Sequence, residues 1–141
     1  MTRNRLAWQV SVVFLMLVPR PSVGQTYTCL PDAPHELYSY VVRLVTATDS
    51  ATVATRNTYH LPAVSASKVT GVPTGSVCTQ AGGAYHAAVS APGTPPISRT
   101  LLVIRVGNTR YVVVDPNETK GEYGINVVFD SQWQVLFTFT S

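Results

Sequence analysis

The 141-residue chain has the length of one domain, and its composition, 45% hydrophobic and 12% charged, excludes a disordered protein. Its formal net charge of +3 comes from the first 24 residues, where Arg3, Arg5 and Arg20 lie. All seven Asp and Glu residues follow Gln25, so the rest of the chain is neutral. Neutrality removes the electrostatic case for nucleic acid, whose binding needs a basic surface.

Residues 1–24 are typical of a secretory signal peptide. Two arginines precede the apolar run Leu6–Val18, which is short for a bilayer span, and Ser22–Gly24 offers small residues for cleavage. An uncleaved membrane anchor is the alternative. We expect a secreted or periplasmic protein, with a single mature domain over 25–141 and no stable membrane span after cleavage.

Two cysteines follow the signal segment, Cys29 and Cys78. An even count in an oxidising compartment predicts a disulfide. Closing a loop of about fifty residues would stabilise the fold by roughly 4 kcal/mol in the chain-entropy model. The alternative is a catalytic thiol at Cys78 with His60 or His86 as its base, which nothing in the spacing supports.

The first half of the domain is predicted to hold two helices. Residues 37–46 suit a helix or a strand, and helical spacing favours the helix through the stripe Leu37, Tyr40, Val41, Leu44 and Val45. Asp49 is the expected N-cap of a short helix over Ser50–Asn57. A short extended piece is expected over Ala66–Val72.

A third helix is predicted over Val77–Ser90, with Thr74 or Ser76 as its N-cap. Gly82 and Gly83 weaken a helix, and we expect them to allow close packing against a sheet.

The last forty residues are organised as an antiparallel meander. Their β-branched and aromatic runs predict four strands, namely Leu101–Val106, Thr109–Asp115, Gly124–Asp130 and Gln134–Thr140. Gly107-Asn108 is a two-residue hairpin signal, which would pair Arg105 with Arg110 and Ile104 with Tyr111.

The second hairpin has two alternating apolar sets. A loop of three or five residues across Asp130–Trp133 would bring both sets to one face, whereas an even loop would separate them. We therefore predict the odd loop, with one face made of Ile125, Val127, Phe129, Val135, Phe137 and Phe139.

These elements predict an α+β fold in which two or three helices pack on a three- to four-stranded antiparallel C-terminal sheet, with one disulfide. The Val77–Ser90 helix is expected to cover one face of that sheet.

The loop over residues 115–122 carries three acids, Asp115, Glu118 and Glu122. They form a candidate Ca²⁺ or partner-contact site, but their spacing is not that of a calcium loop, which favours a solvated polar loop instead. Asn117-Glu118-Thr119 has the form of a glycosylation sequon.

The histidines do not form a metal-ligand pattern. His35, His60 and His86 lack zinc-site spacing, so no metal or cofactor is expected, and His86 is expected at the surface or an edge. The sequence contains no Gly-x-Ser-x-Gly nucleophile elbow and no Gly-rich phosphate loop. Asp49 and Asp130 are a candidate acid–base pair, but a capping role for Asp49 and a turn role for Asp130 already explain both residues.

Trp133 lies in a predicted turn. It is a candidate contact for a partner, since exposed aromatic residues are favoured at interfaces. The alternative is that its indole folds back over the edge of the sheet.

The chain resembles short exported bacterial hypothetical proteins, a resemblance that spans about 80 residues and supplies no catalytic residue. It is carried by Arg56…Leu61-Pro62…Val69…Val72…Cys78…Ala84-Tyr85, Tyr111-Val112-Val113-Val114-Asp115-Pro116 and Phe129-Asp130…Trp133. In architecture it is similar to cystatin-like and PepSY-like domains, although Gln132-Trp133-Gln134-Val135 lacks the glycine of the cystatin inhibitory loop.

We therefore expect a monomeric, non-catalytic interaction module that binds an unknown protein or small ligand. A secreted hydrolase and a peptidase-inhibitor-like or propeptide-like module are the alternatives, because fold alone does not assign function.

Overall fold

The computed structural model describes residues 26–30, 36–72, 75–119 and 124–140, so the signal-peptide prediction, His35 and Glu122 lie outside the described residues. The described elements, in chain order, are β1 (Tyr27–Cys29), α1 (Glu36–Thr46), α2 (Ser50–Thr58), a 3₁₀ turn (Ala66–Lys68), β2 (Val69–Gly71), α3 (Ser76–Val89), β3 (Arg99–Val106), β4 (Arg110–Val114), a 3₁₀ turn (Pro116–Thr119), β5 (Ile125–Asp130) and β6 (Val135–Thr140).

The sheet has six strands in the order β1-β3-β4-β5-β6, with β2 also paired to β3. β1 runs parallel to the first part of β3 and β2 runs antiparallel to its last part. Leu101 and Val103 accept from Leu30 and Val72 at 2.9 Å each, so β1 and β2 lie end to end along one side of β3. The α+β class is confirmed, and the sheet is larger than predicted and partly parallel.

Helices cover both faces of the sheet, which creates two cores. On one face α1 packs with the segment after α2 on a cluster formed by Leu37, Val41, Leu44, Val45, Leu61, Val69, Leu102, Ile104, Val106, Val112, Val114, Val128 and Phe139. On the other face α3 and the disulfide pack on Cys29, Cys78, Ala81, Tyr85, Leu101, Val103, Val113, Val127 and Phe129. The predicted cover by α3 is confirmed, and the middle strands are buried on both faces.

The first two helices follow their sequence signals. The apolar stripe of residues 37–45 forms α1, which settles the ambiguity in favour of a helix. Asp49 caps α2, since its carboxylate accepts the Thr52 N–H at 2.9 Å. At the other end of α2, His60 has φ 59° and its N–H donates to the Asn57 carbonyl at 3.1 Å. The Leu61 N–H donates to the Arg56 carbonyl at 3.1 Å, which completes a Schellman motif.

The disulfide prediction is confirmed: Cys29 in β1 is bonded to Cys78 in α3, with Cα atoms 6.0 Å apart. The catalytic-thiol alternative is therefore wrong. A Cβ at Gly82 would overlap the Tyr27 ring, whereas Gly83 meets nothing, so the close packing of α3 is against β1. The N-cap prediction for Ser76 is wrong, because Ser76 is the first helical residue and Gly75, at φ 92°, precedes it; Thr74 lies outside the described residues.

The first hairpin differs from its prediction by one residue. Arg105 pairs with Tyr111 and Val106 with Arg110, so the loop has three residues, Gly107 to Thr109. Gly107 has φ 60°, but Asn108 does not adopt the positive φ that a two-residue type I′ turn needs there. Because β3 and β4 are buried on both faces, burial does not penalise this one-residue shift.

The second hairpin begins in the predicted odd register and then leaves it. Phe129 pairs with Val135, but Val128 pairs with Phe137, so Leu136 is an extra residue in a β-bulge. Beyond the bulge, Phe137 and Phe139 face the α1–α2 core while Val127 and Phe129 face the α3 core. The prediction of a single shared face is therefore wrong.

Candidate functional site

The predicted acidic loop begins with a buried ion pair. Arg99 Nη1 lies 3.1 Å from Asp115 Oδ2, and both side chains are buried. Asp115 Oδ1 accepts the Asn117 N–H at 2.9 Å, and the Arg99 guanidinium lies 5.4 Å from the centroid of the Tyr85 ring. Asp115 is 5% exposed, and its two carboxylate oxygens bind Arg99 and the Asn117 N–H, so it joins the start of the loop to β3. The Glu118 side chain lies outside the described residues.

A polar cavity of about 360 Å³ opens beside this ion pair. Four hydroxyl side chains contribute to its lining, and Ser98 Oγ accepts from the Thr26 N–H at 3.2 Å. The lining residues are Thr26, Thr28, Ser98, Arg99, Thr100, Asp115 and Asn117. In the described part of the chain, no group of three His, Cys, Asp or Glu residues is placed to hold a metal ion.

His86 is 7% exposed, so the expectation of a surface or edge position is wrong. Its Nε2 lies 3.1 Å from the Thr94 carbonyl and its Nδ1 lies 3.3 Å from Ser90 Oγ. The contact with Thr94 ties the end of α3 to the connector that follows it, and the contact with Ser90 lies at the C-cap of the helix. His86 also lines a cavity of about 340 Å³ under that connector.

The other candidate acid and base serve local structure. Asp130 Oδ1 accepts the N–H groups of Gln132 at 2.8 Å and Gln134 at 2.9 Å, which confirms its turn role. His60 is exposed at the end of α2, and its carbonyl accepts from Arg110 Nε at 2.7 Å. Neither position shows a proton-transfer arrangement.

A buried cation at Arg56 was missed by sequence reasoning. Arg56 is 8% exposed, and its Nη1 donates to the carbonyls of Leu44 at 3.3 Å and Ala47 at 3.0 Å. It therefore caps the C-terminal end of α1, where the helix dipole favours positive charge. The helical position of Arg56 gives no signal of this role, because the cap acts on a different helix.

An open cavity of about 530 Å³ lies between α1 and α2, with Tyr40, Arg43 and Asp49 in its lining. Hydrogen bonds from the Thr52 hydroxyl and N–H lower the pKa of Asp49. Burial raises the pKa of Tyr40 to about 12, and a hydrogen bond with Tyr59 adds to the increase. The bonds of Asp49 cap α2, and the bond of Tyr40 joins α1 to the end of α2, so both groups serve the packing of these helices.

The Trp133 indole folds back over the sheet, as the alternative interpretation expected. It stacks on Tyr111 with ring centroids 4.5 Å apart and meets Phe129 edge-on at 5.5 Å. Its Nε1 donates to Gln80 Oε1 of α3 at 3.1 Å. Trp133 has φ 63°, an unfavourable backbone conformation for a large side chain, so these contacts hold a strained turn in place.

The outer side of β6 is an unpaired edge of the sheet in the described part of the chain. The sheet order ends at β6, and within the described ranges no strand pairs with its outer side. Val135 is 49% exposed, and Thr138 and Thr140 are also exposed. Residues 131–141 contain no charge and no proline, the devices that usually protect an edge strand.

Aromatic side chains hold β6 from its inner face. The Tyr59 ring stacks on Phe137 at 4.9 Å and on Phe139 at 4.4 Å, and Tyr40 lies 6.2 Å from Phe139. The strand is thus fixed in an extended conformation with its outer backbone groups presented. We call this feature the β6 edge, meaning the outer side of Val135–Thr140.

The opposite edge of the sheet is built differently. It consists of β1 and β2, each three residues long. Short edge strands resist pairing with another chain. The two edges are therefore unequal, and the β6 edge alone offers a long strand.

No protein-family model matches the chain, and comparisons with curated proteins and with solved structures also found no match. Among the described residues, no helix is long and apolar enough to cross a membrane.

Proposed function

We propose that this protein is an exported, non-catalytic interaction module that binds an extended polypeptide segment by adding it as a strand to the β6 edge. The observation that carries the proposal is an uncharged edge strand of six residues. Aromatic residues pack on one of its faces, and it contains neither a charged residue nor a proline to oppose pairing at its outer side. Main-chain hydrogen bonds supply affinity in such strand addition, and alternate side chains supply specificity.

The preferred segment follows from the side chains that flank this edge. Phe137 and Phe139 lie on one face, whereas Thr138, Thr140 and the exposed Ile125 lie towards the other. Aromatic and β-branched residues form favourable cross-strand pairs with such neighbours. The bound segment is accordingly extended, uncharged and rich in those residue types.

The roles of the polar residues favour binding over catalysis. Asp115 is paired with Arg99, Asp130 holds a turn, and His86 fastens a connector. A catalytic site needs convergent groups with open access to a substrate, and these three groups instead serve local packing.

Export is part of the proposal, together with the resemblance to short exported bacterial proteins. The Cys29–Cys78 bond supports export, since disulfides persist in oxidising compartments. N-terminal sequencing of the chain purified after expression in a bacterium tests this part. A first residue at Gln25 is expected, and an intact Met1 in the cytoplasmic fraction would contradict it.

Strand addition is tested with a fluorescent ten-residue peptide of alternating Thr, Val and Phe that carries one Lys at each end for solubility. We expect saturable binding to the wild-type chain, measured by fluorescence anisotropy. The Thr138→Lys/Thr140→Lys variant should bind at least about tenfold more weakly, because charged edges oppose pairing. Thr109→Lys, an exposed change in the β3–β4 loop, is the matched control. Equal binding by all three proteins, or no binding by a wild-type chain that is monomeric at the concentration of the assay, would refute the proposal.

A further inference from the structure

We propose that the segment bound at the β6 edge belongs to a second copy of this chain, paired antiparallel through β6 about a two-fold axis at Thr138. The inference rests on the proposed function, since it requires that the β6 edge accept a strand. It replaces the monomer that the sequence favoured with a symmetric dimer.

Symmetry restricts the register of such a pair. Opposite residues in an antiparallel ladder point to the same face, and successive residues along a strand alternate faces. A two-fold axis perpendicular to the sheet places a given residue on the same face of the sheet in both copies. Its two sequence neighbours in the second copy point to the other face, so the residue cannot lie opposite either of them. The axis must therefore pass between one residue and the same residue of the second copy.

The β-bulge restricts the centre to the strand after Leu136, and the aromatic side chains then favour Thr138. The ladder is irregular at Leu136 and regular from Phe137 onward. Centring the pair on Thr138 places Phe137 opposite Phe139 of the second copy, twice, and Thr138 opposite itself. The aromatic pairs extend the cluster around Tyr59 across the axis, and both kinds of pair are favourable between strands.

The charge pattern favours a second copy as the occupant. In an isologous pair any charge near the axis meets the same charge, which is destabilising. Residues 131–141 carry none, although acids and bases are present elsewhere in the domain. A segment that recognised a charged partner would need the opposite composition.

The unequal edges make the dimer closed. Pairing through β6 leaves the β1–β2 edge of each copy at the ends of the joined sheet, and those strands have three residues each. The disulfide also fixes β1 to α3. The joined sheet therefore stops at two copies and does not grow into a filament.

Two cysteine variants test the register, with the native disulfide kept intact. Thr138 and Thr140 are both exposed on β6 and differ by two positions. Self-paired residues have Cα atoms about 4.5–5.5 Å apart, a separation that a disulfide can bridge. Residue 140 of one copy lies about 13 Å along the strand direction from residue 140 of the second copy, which is too far for a disulfide.

Under mild oxidation we expect Thr138→Cys to form a covalent dimer at least about tenfold faster than Thr140→Cys, on a non-reducing gel with the bond mapped by mass spectrometry. Sedimentation should show wild-type dimers that Thr138→Lys/Thr140→Lys converts to monomers. Equal cross-linking, faster cross-linking of the Thr140→Cys variant, or larger open assemblies would overturn the dimer as stated. A wild-type monomer that still binds the strand peptide would overturn the dimer alone, whereas failure of both assays would overturn the proposed function too.

Discussion

The Arg99–Asp115 pair should behave as one coupled unit in stability measurements. At an effective dielectric constant of about 20, two charges 3.1 Å apart attract by about 5 kcal/mol, and the cost of removing both from water offsets much of that. Removing one partner leaves a buried charge, so Arg99→Met and Asp115→Asn should each lower the free energy of unfolding by about 3–5 kcal/mol. The double variant should lose less than either single variant, because it leaves no buried charge and its new side-chain amide oxygen can still accept the Asn117 N–H.

Urea unfolding of the disulfide-intact chain measures these changes, with tryptophan fluorescence as the signal. Trp133 stacks on Tyr111 in the folded state, so its emission reports the sheet. Matching slopes of free energy against urea would show that the variants unfold the same surface. If the double variant lost the sum of the two single losses, the two side chains would be energetically independent and the structural role assigned to Asp115 would be refuted.

Three further predictions concern backbone strain and titration. Trp133→Ala should destabilise the fold by about 2–3 kcal/mol, and Trp133→Gly by about 1 kcal/mol less, because glycine tolerates the left-handed backbone at this position. Thermal unfolding measures both variants, and a glycine variant less stable than the alanine variant would contradict this. His60→Gly should raise stability by up to about 1 kcal/mol in urea, because His60 is the positive-φ residue of a Schellman motif, and a loss would show that its imidazole does more than cap. Tyr40 contributes stability that is complete below the unfolded pKa of about 10 and is lost as pH rises towards its folded pKa of about 12. In Tyr40→Phe the free energy of unfolding should therefore fall less steeply between these two pH values. A pH dependence equal to that of the wild type would contradict this assignment.

Local signals predicted the elements well. The stripe from Leu37 to Val45, the Asp49 cap and the β-branched runs after residue 100 each act within a few residues, and each has its expected structure. The disulfide was predictable because two cysteines allow one pairing.

The register of the hairpins depended on long-range packing. Burial normally selects register by rewarding one face, but Val112 and Val113 are both fully buried, on opposite faces. The bulge at Leu136 then rotates the aromatic residues of β6 towards Tyr59, a residue distant in sequence. The pairing of β1 with β3 joins segments about seventy residues apart, and no local pattern marks it.

The β6 edge was missed for a related reason. The sequence shows an uncharged strand, but only the strand order shows that this strand ends the sheet. Trp133 drew attention because of its type, whereas its indole is held by Tyr111 and Gln80. Unpaired backbone groups of an edge strand cannot be recognised from the amino-acid composition, except through the absence of charged residues and proline.

Amide hydrogen exchange along β6 tests the account most directly. In dilute protein the amides that point away from β5 should exchange rapidly, while the alternate amides bonded to β5 are protected. Raising the protein concentration or adding the strand peptide should slow the outward amides of Phe137–Thr140, and the Thr138→Lys/Thr140→Lys variant should keep them fast. Outward amides that exchange at the same rate at every protein and peptide concentration would contradict the account.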